Sequence, residues 1–253
     1  MNKTKLIRYL VITFTFSYAL WGILLLLTQS LALKLENPLC TALMLLGSFG
    51  PMVGSYIEQK RENLVRNLAD FLKKAFDLKS SLFAWLLLIF FTALFFLPPL
   101  VSGKVTAGIP FYQAVLMIPM MLFGGGMEET GWRWHLQPEL EKKYPLAFAA
   151  MITSVIWMAW HLPLFLIEGT TEASTNLLSF FILLIGLSFA LAVLYRVSQK
   201  VSLAILMHCV LNAFQNTLVF KVELSTSILI SAFLICAALA VNIWCKRRMP
   251  HHF

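Results

Sequence analysis

Apolar residues dominate this chain in long runs, broken by short polar stretches. Eight runs are long enough to cross a bilayer, at about residues 6–28, 39–57, 82–101, 111–130, 147–167, 176–196, 201–220 and 225–245. A span needs roughly 17–25 apolar residues, and a helix satisfies its backbone polar groups within itself. The pattern therefore predicts an all-α polytopic membrane protein with about eight transmembrane helices, one transmembrane domain covering 1–253. The longest polar interruption runs from Glu58 to Ser81. In it Leu64, Leu68, Phe71, Leu72, Ala75 and Phe76 recur at helical spacing between basic residues. An amphipathic helix over 58–81 at the inner membrane surface is expected. Pro98 and Pro99 close the third span, while Pro119 and Pro163 fall inside spans and should kink them. Gly124 to Gly126 lack a phosphate-loop context and instead allow a neighbouring helix to approach closely. The first apolar run is longer than the core of a signal peptide and lacks a small-residue cleavage site, so it is read as a retained span.

Composition sharpens this reading. Hydrophobic residues make up 59% of the chain and charged residues 13%, against about 25% charged in soluble domains. The net charge of +8 does not point to nucleic acid, because its distribution follows membrane topology. With the N-terminus inside, 17 of the 20 lysines and arginines fall in cytoplasmic segments; Lys34, Lys104 and Lys221 remain opposite. Both termini are then cytoplasmic, and the expected location is a bacterial cell membrane. Cys40, Cys209, Cys236 and Cys245 show no paired spacing and read as packing residues.

Few ionisable groups lie within the spans: Glu128, Glu129, Arg133, His161 and His208, joined by the amide of Asn212. An acid at mid-span costs about 2.5–3.5 kcal/mol, so adjacent acids require partners or water. Glu129 and Arg133 are four apart and share a helix face as an ion pair. Glu128 is turned away from Arg133 and left available. A hairpin tip between Tyr144 and Pro145 is equally far from Glu128 and His161, about 25 Å at 1.5 Å per residue. His208 and Asn212 share one face of the seventh span. The four can converge near the inner surface. A carboxylate with a histidine partner can deprotonate a water for attack on a carbonyl. A second histidine and an amide can then stabilise the oxyanion. Peptide-bond hydrolysis fits, with no serine or cysteine placed as a nucleophile.

Three motifs stand in order here. "EETGWR" (Glu128–Arg133) has the form EExxxR, "WMAWHLP" places an aromatic residue four before His161, and "HCVLN" (His208–Asn212) has the form HxxxN. Across residues 110–215 the chain resembles the CAAX-protease and bacteriocin-processing family of intramembrane glutamate endopeptidases, which includes the type II CAAX prenyl protease. The resemblance implies eight helices around a cytoplasm-facing catalytic cavity. It implies Glu128 as catalytic, His161, His208 and Asn212 around it, and Glu129 and Arg133 shaping the site, without cofactor or metal. The implied partners are a membrane-associated protein or peptide substrate and the lipid bilayer, with no nucleic acid. A non-catalytic bacteriocin self-immunity protein or membrane scaffold is the alternative. A zinc metalloprotease using Glu128 and the two histidines, or an ion transporter, is less favoured. Trp132, Trp134, Trp157 and Trp160 are expected to pack or anchor at headgroups, and His135, His251 and His252 to be exposed and uninvolved.

Overall fold

The computed structural model describes residues 2–248, so His251 and His252 lie outside the described residues. The chain is about three-quarters helical. Its helices are α1 (Lys3–Ser30), α2 (Pro38–Gly47), α3 (Gly50–Arg61), α4 (Leu68–Ala75), α5 (Leu82–Val101), α6 (Phe111–Met117), α7 (Glu129–Gly131) and α8 (Gln137–Glu141). There follow α9 (Leu146–His161), α10 (Leu177–Ser198), α11 (Val201–Phe214) and α12 (Leu224–Arg248). Five segments are long and apolar enough to cross a membrane, and α2 with α3, bent by 43°, makes a sixth candidate. Side-chain oxygens of Asn2, Asn37, Asn67, Ser81 and Asn176 cap the starts of α1, α2, α4, α5 and α10, each accepting from a first-turn amide.

Cross-links between distant segments define two ends of the bundle. At one end Lys5 pairs with Glu62 (2.6 Å) and Glu139 (2.9 Å), Arg8 with Glu58, Arg196 with Glu141 and Asn242, and Lys200 with Asp77. At the other, strand β1 (Thr106–Ala107) pairs antiparallel with β2 (Leu218–Val219), and Lys104 meets Glu223 at 3.0 Å. Followed in order, the chain passes between these ends eight times. Six passes are the candidate spans; the remaining two are the segment from α6 to α8 and the short α11. The first end carries nearly all the basic residues, the start of α1 and the end of α12.

Packing centres on α10, whose Leu183, Leu184, Phe189 and Leu191 are buried. A Cβ added at Gly186 would lie 2.6 Å from Ser231 Cα, so α10 and α12 touch backbone to backbone there. Ser188 donates to the Ala150 carbonyl at 2.9 Å, tying α10 to α9.

Two expected elements differ. The segment 58–81 is not one amphipathic helix. The third helix runs on to Arg61, a turn follows, and only Leu68–Ala75 forms a separate helix, with Phe71 and Ala75 buried. The apolar run 111–130 is likewise not one helix. It ends as α-helix at Met117, passes Pro119, and continues through 3-10 turns at Met120–Leu122 and Gly126–Glu128. Pro163 similarly falls in a 3-10 turn, Leu162–Leu166, beyond α9. These breaks position the site.

Candidate active site

The interruption around Gly125 frees backbone groups at membrane depth, where they need partners. Ser48 Oγ donates to the Phe123 carbonyl at 2.9 Å, and Asn212 Nδ2 donates to that of Gly124 at 2.8 Å. Gly125 has φ +126°, a conformation open to glycine. A Cβ there would stand 2.8 Å from His208 Nε2 and 3.0 Å from Asn212 Nδ2. The glycine thus lets α11 press two polar groups onto the broken strand of backbone. The 3-10 turn Gly126–Glu128 follows, closed by the Glu128 amide donating to Gly125 O at 2.9 Å, and it delivers Glu128 into the bundle. Beyond α7 a π-helical turn, Trp132–Leu136, shifts the register before α8, a distortion often found beside functional groups.

Glu128 is buried, and its Oε2 accepts from two indoles: Trp157 Nε1 at 2.8 Å and Trp132 Nε1 at 3.4 Å. Trp132 and Trp157 therefore do more than pack or anchor. No direct hydrogen bond joins Glu128 to His161 or His208 among the described residues. Instead the Trp157 ring neighbours both histidines, 5.9 Å from the His161 ring and 5.8 Å from that of His208. His161 Nδ1 faces the Trp157 carbonyl at 2.9 Å. A carbonyl only accepts, so the proton sits on Nδ1 and the neutral ring keeps its lone pair on Nε2.

Glu129 is also doubly engaged. Its Oε1 lies 2.8 Å from His208 Nδ1, and its Oε2 lies 3.3 Å from Arg133 Nε. The expected pair is present, but the glutamate also orients a histidine 79 residues away. Both members of the ion pair are fully buried, and the Arg133 guanidinium stacks 5.1 Å from the Trp157 ring. No protein acceptor reaches Arg133 Nη1 or Nη2 among the described residues, so Glu129 is the group that balances this charge.

Glu128, Trp157, His161, His208 and Asn212 line one cavity of about 1210 Å³. Its walls are largely apolar, including Phe95, Trp160, Leu183 and Leu187, with polar rim residues such as Thr171 and Asn216. All four sequence-predicted catalytic residues thus converge on one space, with Glu129 and Arg133 directly behind it. His135 is a correction: it is buried, not exposed, and packs 4.6 Å from the Tyr9 ring. Among the described residues no group of three or more His, Cys, Asp or Glu side chains could hold a metal ion.

The family model for Rce1-like type II CAAX prenyl endopeptidases matches residues 110–214, the segment that contains every residue of this cluster. A CAAX prenyl protease 2 from Methanococcus maripaludis is 22% identical, the match covering 94% of this chain and 93% of the relative. Over this segment the chain is similar to the CAAX protease family. Its family-matched segment includes the broken fourth pass and both histidine-bearing helices. Sequence reasoning missed Trp132 and Trp157 as partners of the acid, although both lie inside the quoted motifs.

Proposed function

We propose that the protein is an intramembrane endopeptidase that cuts a peptide bond of a membrane-associated protein or peptide, with Glu128 activating water. One observation carries this reading: a buried carboxylate, held on one oxygen by two indole N–H groups, shares a cavity with two imidazoles and an amide. Both hydrogen bonds fall on Oε2, which leaves Oε1 to meet a water in the cavity. His161 offers an Nε2 lone pair to the same water or to the leaving amine. His208 Nε2 and Asn212 Nδ2 converge above Gly125, where they can donate to the oxyanion of a tetrahedral intermediate. Glu129 supports that role, since it accepts from His208 Nδ1–H and balances the ring when Nε2 also carries a proton. Glu129 and Arg133 therefore act as positioning residues.

The walls around the acid are apolar, as a substrate with a hydrophobic side chain or segment requires. The relative named above is, by its name, a CAAX prenyl protease; the apolar walls here fit a hydrophobic group without selecting a prenyl chain. Comparative proteomics of membrane fractions from cells expressing wild type or Glu128→Ala tests the reading. New termini that depend on Glu128 are expected. An unchanged peptide inventory would count against proteolysis.

A further inference from the structure

The cavity reaches one end of the bundle only. Its rim is formed by the 169–176 connection, by Gln215 and Asn216, and by 220–224. Of these, Thr171, Ser174, Asn216, Lys221 and Glu223 are exposed. This is the end where β1 meets β2 and Lys104 meets Glu223. Among the described residues, none from the opposite, basic end lines the cavity. Beneath His208 on that side, Ala75, Met127, Val201, Ile205 and Cys209 form a closed apolar cluster, covered by Leu72 and Trp134. The cavity also meets the flank of the bundle beside Leu45, Phe123 and Gly124, which face outward.

The chain's charge orients the two ends. Three of its 20 lysines and arginines, Lys34, Lys104 and Lys221, lie at the cavity's end, Arg133 is buried beside the site, and the other 16 lie in or near the opposite end. Basic segments flanking spans stay in the cytoplasm. Cytoplasmic termini and a cytoplasm-facing cavity, both expected above, therefore conflict in this fold: the start of α1 and the end of α12 lie at the basic end and the mouth at the other.

We infer that the cavity is entered from the extracytoplasmic face and the adjoining leaflet, so its substrate is a translocated polypeptide or an apolar segment presented in the outer leaflet. The orientation stands independently, whereas the substrate class rests on the endopeptidase reading. Apolar walls at the floor match a hydrophobic segment, and the polar rim at Thr171, Ser174 and Asn216 matches hydrated chain leaving it.

Two measurements separate these claims. In a version with its four cysteines replaced, Ser174→Cys and Lys142→Cys are each treated with a membrane-impermeant maleimide in intact and permeabilised bacterial cells. Ser174→Cys should label at least about tenfold more than Lys142→Cys in intact cells, with the difference lost on permeabilisation. The reverse pattern overturns the orientation. If the cysteine-free chain fails to fold, the same substitutions in the native background serve, with the unsubstituted protein as blank. Glu128-dependent termini are then mapped onto the topology of the cleaved proteins. Their appearance in extracytoplasmic or outer-leaflet segments supports the substrate class, and confinement to cytosolic segments overturns it while leaving the protease reading intact. Absence of such termini removes the protease reading, and with it the substrate class, but not the orientation.

Discussion

Trp157→Phe isolates what the indole N–H does for the acid. The substitution keeps an aromatic ring among His161, His208 and Arg133 but removes the donor 2.8 Å from Glu128 Oε2. A hydrogen bond to a charged group contributes about 1.5–3 kcal/mol. In the site as read above, Oε2 must stay fixed for Oε1 to face the water, so its loss falls on the transition state. At about 1.36 kcal/mol per tenfold, kcat should drop about 10- to 150-fold, with KM little changed because Trp157 Nε1 touches the acid and not the substrate. Trp132 donates from 3.4 Å, near the limit of a useful bond. Trp132→Phe should therefore cost only about 2- to 5-fold. The assay is steady-state cleavage by purified variants of a substrate identified through its Glu128-dependent terminus, with thermal unfolding measured in parallel. Unchanged kcat for Trp157→Phe in a normally stable protein would refute the idea that this indole places the carboxylate. Equal losses for the two variants would refute the ranking by distance.

Gly125→Ala forces a side chain into φ +126° and against His208 Nε2 and Asn212 Nδ2; strain of about 1–3 kcal/mol and a displaced oxyanion site should lower activity about 100-fold, read by kcat of the folded fraction. Glu129→Gln leaves the Arg133 charge buried without its counter-ion, a loss of about 3–5 kcal/mol visible as a lower melting temperature; adding Arg133→Met should restore stability but not activity, and a double variant no more stable than the single one would contradict the pairing. At the basic end, burial alone would raise the Glu139 carboxyl, but hydrogen bonds from Lys142 and Lys5 hold it down to about 2. A depressed carboxyl stabilises the fold fully above its unfolded value near 4.5 and loses that contribution as pH falls toward 2. Melting curves of wild type and Glu139→Gln between pH 7 and pH 2 should therefore converge on acidification, and parallel curves would argue against it.

How much of this was legible in the sequence depended on whether a property is local. Apolar runs mark candidate spans because bilayer thickness imposes a length on each, and five helices, with the bent α2–α3 pair as a sixth candidate, are long and apolar enough to cross. The broken fourth pass was hidden because hydropathy counts Gly124 to Gly126 as neutral, whereas the break comes from one positive φ and from carbonyls capped by Ser48 and Asn212, which lie 75 and 88 residues away. Helical spacing found Glu129 with Arg133 but could not find His208, since that partner comes from another helix. Tryptophan reads as apolar in any run, so the two N–H groups that hold Glu128 were invisible as donors. His135 sat in a polar run that looked exposed, yet Tyr9 from α1 covers it.

The direction of the cavity shows the same divide at larger scale. Rise per residue set Glu128, His161, His208 and Asn212 at comparable depth, and all four do line one cavity. Depth along a helix, however, carries no information about which way a cavity opens. That is decided by where helices splay and where they seal. The cluster of Ala75, Met127, Val201, Ile205 and Cys209 seals the basic side, and its members come from α4, the broken fourth pass and α11. A plug assembled from three separate segments has no signature in any one of them, whereas the basic residues that orient the bundle are countable one by one. Charge can therefore propose the sides of the membrane from the sequence, whereas the inferred placing of the cavity mouth away from the basic end rests on packing.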